Sequence, residues 1–494
     1  MITLSYLFFM QACRKDTPDQ IQDMLTNRGS YHSGFLVNTN ELTSLLHLPY
    51  QILFDKTFRD IFVSAPCGDK PQKTAEYEDI KIGTWACGNS SKEIHLPVQK
   101  EIPHCHVIGI SRSGKSVLLS HIAIEKFKRN EAVFVLDPHG DLVENITKMV
   151  PRELIDKVVV IDFGLKDATP QITIRGNVDI TNPSKVADDL SDAMYDVTST
   201  KEKFFGPRMA FAFAALYFIY CVLPDLNLID IRQLVSPTTK GKNLRTKVKA
   251  KIDHPIVRDF LEEINSVSYE SILPVITRLS HLLLAEQSLR LFTLETNKIL
   301  ISDIMEKGML CLIKTSIGII GKQRGSILSG LIDSLISNNA LARAAIPYSK
   351  RKPVCVIVDE FYQTPIDIDK HFSGMAKYGL SLIVAHQYLN QVEGMTREVL
   401  FTAGSRIYFK QRRQDAELFS KDFDTEPEEF TSLKKHEAIV KIEDEVVKIN
   451  APRPAFNERD YSRVIMENCI EKYYLRHNKD KPVQRKKQLS FDML

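Results

Sequence analysis

Apolar and polar positions change their period several times along this chain. Val107-Ile108-Gly109 ends a short strand, and residues 116–128 then carry apolar side chains around most of a helical wheel. That pattern predicts a helix buried on nearly every side. Ala132–Leu136 and Val158–Ile161 are unbroken apolar runs rich in β-branched residues, as in central strands of a parallel sheet. Strand alternating with helix predicts a doubly wound α/β layer. From 183 to 296 Leu, Ala and Ile recur at helical spacing, so an all-helical block is expected. Strand character resumes at Leu310–Ile313, Val354–Val358, Leu380–Val384 and Arg406–Phe409, with a helix over 326–345. Glu437–Ile442 and Val446–Ile449 flank a Glu-Asp turn and read as a hairpin.

The longest uncharged run, 209–223, stops at Pro224 and Asp225. Crossing a bilayer takes about 20 residues, so a buried core helix is expected there. These shifts divide the chain into an N-terminal extension or small domain (1–100), a first part of the core (101–182), a helical insertion (183–300), a second part of the core (301–455) and a basic, flexible tail (456–494).

Composition narrows the class without naming a function. The 494 residues include 65 Lys and Arg against 62 Asp and Glu, a net charge of +3, so any basic surface is local. The strongest local run holds Lys240, Lys242, Arg245, Lys247, Lys249 and Lys251 with no acid among them. It is either a phosphate-contacting patch or a solvated loop. No two of the eight cysteines are closer than 18 residues, which excludes a CxxC metal pair and fits a reduced, cytoplasmic chain. The N-terminus lacks the basic start of a signal peptide.

Four motifs carry chemistry. Gly109-Ile110-Ser111-Arg112-Ser113-Gly114-Lys115-Ser116 fits the P-loop pattern between a strand and a helix. Its glycines let backbone N–H groups converge on phosphate oxygens, and the helix N-terminus adds its positive end. The nucleotide-binding set is Gly109, Ser111, Arg112, Ser113, Gly114, Lys115, Ser116 and Val117. Lys115 is expected on the β- and γ-phosphates of ATP and Ser116 on Mg²⁺. Arg112 either stacks on the base or is solvated. Asp137-Pro138-His139-Gly140-Asp141 ends the next strand. Asp137 or His139 then faces phosphate or Mg²⁺, or the segment is a tight turn with Asp as cap. Val354–Val358 followed by Asp359-Glu360 has the Walker B form. Asp359 would hold Mg²⁺ and Glu360 would act as general base. Leu382–His386 ends in Gln387, a γ-phosphate sensor or a helix cap; His386 reads as structural. Lys115 and Asp359 stand 244 residues apart, which the helical insertion explains.

Together these residues resemble the HerA–FtsK superfamily of P-loop ATPases, nearest its conjugation-type branch of TraG/TraD-like coupling ATPases and soluble HerA-like translocases. Besides the motifs above, the resemblance is carried by Phe35-Leu36-Val37-Asn38, Glu41-Leu42, Leu46 to Pro49, Leu142, Gly206-Pro207-Arg208, Phe361, Lys377 to Leu380, Tyr388-Leu389 and Asp415-Ala416. It implies a RecA-like core, a ring, usually a hexamer, moving DNA with ATP bound between subunits, and an arginine finger from the neighbour. Arg406 is the first candidate for that finger and Arg324 the second. The implied partners are DNA and a relaxase, nuclease or secretion channel; the implied place is the cytoplasm, peripheral to the inner membrane through those partners. The chain departs from the family in lacking N-terminal membrane helices, in a short N-terminal region, and in Ala376 where Arg often precedes Lys-Tyr-Gly. An ATPase energising secretion or assembly without gripping DNA is the alternative. A nucleotide-regulated scaffold with little turnover is a third reading, disfavoured by Glu360.

Overall fold

A computed structural model describes residues 80–87, 90–96, 104–177 and 207–477 except 285, 393 and 444, together with 184, 187 and 191. The segment 35–49 of the family resemblance lies outside the described residues.

The strands are β1 (Ile80–Cys87), β2 (Ser90–Leu96), β3 (Cys105–Ile108), β4 (Ala132–Asp137), β5 (Val158–Asp162), β6 (Ala168–Pro170), β7 (Leu310–Lys314), β8 (Val354–Val358), β9 (Leu380–His386), β10 (Ser405–Phe409), β11 (Glu437–Ile442), β12 (Glu445–Asn450) and β13 (Tyr474–Arg476). Eleven of them form one sheet in the order β2-β1-β12-β11-β10-β3-β9-β8-β4-β7-β5. From β10 to β5 every neighbouring pair is parallel. β11, β12 and β1 add on antiparallel. The predicted α/β layer and hairpin are both present.

The apolar runs are unbroken because both faces of the sheet are covered. Along β4, Phe134 and Leu136 enter one core with Val356, Val358, Leu382 and Val384. Val133 and Val135 enter the other with Ile357, Ile383 and the apolar side of α1 (Lys115–Lys128). Next comes α2 (Asp141–Thr147).

The described part of the insertion is helical, as its pattern predicts: α3 (Pro207–Val222), α4 (Leu228–Leu234), α5 (Thr239–Lys251), α6 (Pro255–Glu263), α7 (Tyr269–Leu283) and α8 (Glu286–Phe292). Its apolar residues Phe213, Leu216, Ile231 and Leu279 belong to the same core as the sheet face under Phe134. Arg175 holds the end of α3. Its guanidinium donates to the carbonyls of Tyr220 (2.7 Å), Leu223 (3.0 Å) and Pro224 (2.9 Å) and stacks on the Tyr220 ring at 4.0 Å. These are the carbonyls a helix C-terminus leaves without partners. No described helix is long and apolar enough to cross a membrane. Further on lie α9 (Ile301–Lys307), α10 (Lys322–Ala342), α11 (Arg413–Phe423) and α12 (Ser462–Tyr473).

Four sequence expectations are corrected here. Residues 80–87 and 90–96 are not a small domain apart from the core but an extension of it: β1 pairs with β12 and widens the main sheet. Val158–Ile161 is not central: β5 is the last strand, and its burial comes from α12, whose Ile465 and Cys469 pack on that side. The described part of 456–494 is accordingly core rather than tail. The Tyr474 hydroxyl donates to Val160 O (2.9 Å) and accepts from Asp162 N (2.8 Å), and β13 pairs with β6. The basic run 240–251 is a helix, not a loop. Arg245 is buried and bonds Asn265 Oδ1 (2.8 Å) and Ser236 O (2.9 Å). Lys249 pairs with Glu262, and Lys251 with Asp225. A basic run in sequence is not one patch in space, because helical geometry sends its members to different sides.

Candidate active site

Strand order assembles the site. β3 ends in the P-loop, β8 ends in Asp359-Glu360, and β9 lies between them and ends in Gln387. All three run parallel, so the three motifs emerge on one edge, where open α/β sheets bind ligands.

The P-loop is tied to its neighbours by backbone bonds. Gly109 N donates to His386 O (3.3 Å), Ile110 N to Lys410 O (3.1 Å), and His436 N to Ser113 O (2.8 Å). Gly109 is required by contact, since a Cβ there would stand 2.6 Å from Phe409 Cβ. Gly114 is required by conformation, with φ +122°, and by the closeness of His436. Ser116 and Val117 open α1, half-buried, and Arg112 projects at the loop tip, exposed.

Lys115 is buried and bends back over the loop, donating to Gly109 O at 2.6 Å. Burial pulls its ammonium below the usual range, against the pull of Glu360 and Asp359. Asp359 is also buried. Burial first, then the Asp137 and Glu360 carboxylates, push its carboxyl up to about 7. Glu360 has φ +47°, a left-handed backbone rare for a side chain of this size. Its Oε1 accepts from Gln387 Nε2 at 2.8 Å, and Gln387 Oε1 accepts from the Ser111 hydroxyl at 3.0 Å. Glu360 Oε2 is buried with no partner among the described residues, and so is Ser113 Oγ. Gln387 thus bridges the P-loop to the acid.

These residues fit a triphosphate with Mg²⁺. A buried lysine, two buried acids crowding one another and an orphaned carboxylate oxygen suit an anion and a cation bound together. Ser116 and Asp359 are the groups on hand for the metal.

Asp137 does something else. Its Oδ1 accepts from His139 N (2.9 Å) and Gly140 N (2.8 Å), and its Oδ2 from Val143 N (3.0 Å). It caps the turn into α2, so the reading as a nucleotide ligand gives way to the turn reading. His139, exposed, contacts Gln363 at 3.2 Å. Arg406, the first finger candidate, is corrected too. It sits at the start of β10, buried, donating to Asp422 at 2.6 Å and lying over the Phe423 ring. Arg324 donates to His281 O (3.1 Å) and Ile320 O (3.0 Å) and ties the insertion to α10.

One network was not visible in the sequence. Tyr408, His106 and His386, on neighbouring strands, form a buried chain: Tyr408 Oη to His106 Nδ1 at 3.1 Å, and His106 Nε2 to His386 Nε2 at 2.8 Å. His386 Nδ1 then meets Tyr388 O at 3.1 Å. Burial holds His386 down to about 3 and His106 well below the usual histidine range, so both are neutral. A carbonyl only accepts, so His386 carries its proton on Nδ1 and its Nε2 accepts from His106. Tyr408 therefore donates to His106. This one-way chain holds the turn that carries Gln387. The sequence signal, a histidine in each of two apolar strands, has no period to reveal the pairing.

With this geometry in hand, comparison with known proteins decides the family. A model of the family described as type IV secretory system conjugative DNA transfer matches residues 68–436, well over half of the chain. The chain belongs to that family. Similar solved structures include the bacterial conjugative coupling protein TrwB in unbound form, at TM-score 0.57 and 14% identity, covering 78% of this chain and 91% of that one. TrwB in complex with ADP and Mg²⁺ matches at TM-score 0.54 and 14% identity, covering 80% and 99%. VirB4 of Thermoanaerobacter pseudethanolicus matches at TM-score 0.50 and 14% identity, covering 76% and 97%. No curated protein sequence matches. At such identity the likeness is one of fold: the chain has the RecA-like core of these proteins. It is a P-loop NTPase of a type IV secretion family.

Proposed function

We propose that this protein hydrolyses ATP with Mg²⁺ at the subunit interfaces of a ring, a hexamer by resemblance, and uses the energy to move DNA. The observation that carries the chemistry is the Ser111–Gln387–Glu360 relay, which joins the loop that senses phosphate to the acid that activates water. Family membership supports the DNA substrate, and TrwB, similar in fold, has been seen with ADP and Mg²⁺. Bound Mg²⁺ would neutralise phosphate charge and stabilise the leaving oxygen.

The chain's own residues do the rest. Loop amides from Ser113 to Ser116 bind the phosphates. Lys115 exchanges the Gly109 carbonyl for phosphate oxygen. Glu360 takes a proton from the attacking water at Oε2, the oxygen left without a partner. Gln387 orients Glu360 through Oε1 and, through Ser111, reads whether the loop is loaded.

A ring that works on DNA through secretion partners acts in the cytoplasm, peripheral to the inner membrane. The alternative, an ATPase for secretion or assembly that does not grip DNA, gains from the partial neutralisation of α5 by Glu262 and Asp225.

Steady-state hydrolysis with and without single- and double-stranded DNA, at low and high salt, tests the reading. Salt-sensitive stimulation is expected, with turnover in Glu360→Gln lowered about 100-fold or more. Hydrolysis indifferent to DNA points to the alternative. Full activity in Glu360→Gln overturns both.

A further inference from the structure

The finger candidates from sequence are engaged elsewhere, yet the edge of the sheet presents another arginine. β10 pairs directly with the P-loop strand β3, on the side away from β9, in register Tyr408 against Ile108. Lys410 O accepts from Ile110 N at the loop itself. The chain therefore leaves β10 at the P-loop, and two residues later Arg412 forms the N-cap of α11. Its guanidinium lies 4.7 Å from the centre of the Tyr388 ring. Tyr388 follows Gln387 directly, and its carbonyl is the end of the histidine chain. Beneath, Asp415 anchors the same turn by accepting from Leu389 N at 3.4 Å. Arg412 itself is exposed, and besides the ring it feels the attraction of the Asp415 carboxylate, which is not close enough to form an ion pair.

We propose that Arg412 is a further catalytic residue, held on the Tyr388 ring in the nucleotide-free protein and transferred to the γ-phosphate of the triphosphate bound in its own subunit. This rests on the ATPase reading above and adds a residue to it. A guanidinium on an aromatic face at an exposed site is held weakly, whereas a charge-assisted bond to phosphate is strong and two-pronged. Arrival of the γ-phosphate beside Gln387 supplies the better partner. The need is plain from the charges: two buried acids, Asp359 and Glu360, sit beside Lys115, and charge grows on the γ-oxygens as the bond to the leaving oxygen breaks. Arg112, at the loop tip, has no ring holding it among the described residues.

The test compares wild type, Arg412→Ala, Arg412→Lys and Arg413→Ala as purified proteins. Arg413 is exposed and pairs with Glu417 and Glu428, so it controls for surface charge. For Arg412→Ala, kcat should fall about 100-fold, as for loss of one donor to transition-state charge. ADP affinity should stay within about twofold, which also reports folding, while affinity for a non-hydrolysable ATP analogue falls about tenfold. Arg412→Lys should recover part of kcat, and Arg413→Ala should match wild type. Mixing Arg412→Ala with Glu360→Gln subunits tests the choice of subunit: inactive mixtures support action within one subunit. Recovered activity overturns it in favour of the neighbour. Wild-type kcat in Arg412→Ala overturns the proposal while leaving the ATPase reading intact. A wild-type protein without hydrolysis sinks the ATPase reading first.

Discussion

Asp359 shows how a residue's charge is set by what surrounds it. Its carboxyl rises from the ordinary aspartate value to about 7, through burial and then Asp137 and Glu360. A carboxyl whose folded value is raised stabilises the fold fully below its unfolded value, and that stability is lost as pH rises through the folded one. From about pH 4 to 7, then, the nucleotide-free protein loses stability at this position. Asp359→Asn, which has no charge to bury, should gain on wild type at pH 8 by roughly 2–4 kcal/mol. At pH 4 that difference should vanish. Urea unfolding at the two pH values measures it; an equal difference at both would show that packing, not ionisation, sets it. The Asp-Glu pair and its apolar run were legible in sequence, since a strand delivering acids to a sheet edge has a pattern. The crowding by Asp137 was not, because it depends on which strands are neighbours.

Elements were read well where both faces or one face gave a period. β4, β7, β8 and the hairpin lie where the apolar runs placed them, and the helix expected over 326–345 is α10 with a short 3₁₀ turn after it. The reading of the C-terminal region failed for a physical reason. α12 buries only Ile465 and Cys469, too few apolar positions to stand out in a basic stretch, yet these two seal the edge strand. Ile465→Ala should therefore cost about 2–4 kcal/mol, read as a lowered urea midpoint with unchanged slope. Removing 461–494 should leave β5 uncovered and the protein insoluble. If the truncated chain unfolds with the wild-type midpoint, α12 is an appendage. The run 240–251 teaches the converse. Its charge was visible, but α5 buries Arg245 and pairs Lys249 and Lys251, so fewer cations are free for the proposed DNA contact than the count suggests. Lys240→Ala with Lys242→Ala, both exposed, should lower DNA stimulation of hydrolysis several-fold at low salt and little at high salt. Stimulation unchanged at low salt would move the DNA contact elsewhere.

Across the described residues, the helical insertion and the α/β part share one core. Phe213 and Leu279 of the insertion pack in the same apolar cluster as Phe134 and Val356 of the sheet, and Arg324 donates to a carbonyl of α7. The insertion is thus a lid on one sheet face and not an independent module. Joining residue 206 to 293 directly should expose that face, and the resulting chain should fail to accumulate as soluble protein. A soluble, nucleotide-binding product would show the two to be separable.

The chain's own order of residues determined the P-loop, the Walker B acids, the glutamine that ends β9, the helical block and through them the family. Each of these is local: a glycine spacing, an apolar run, a period. Tertiary structure alone decided which strands lie side by side, and so that Gln387 would meet both Ser111 and Glu360. It decided also that Asp137 would cap a turn, that Arg406 would pair with Asp422, that two histidines 280 residues apart would hydrogen-bond, and that Arg412 would rest on the Tyr388 ring. Pairing across a parallel sheet joins residues far apart in sequence, and no local pattern encodes which of many apolar strands will be neighbours.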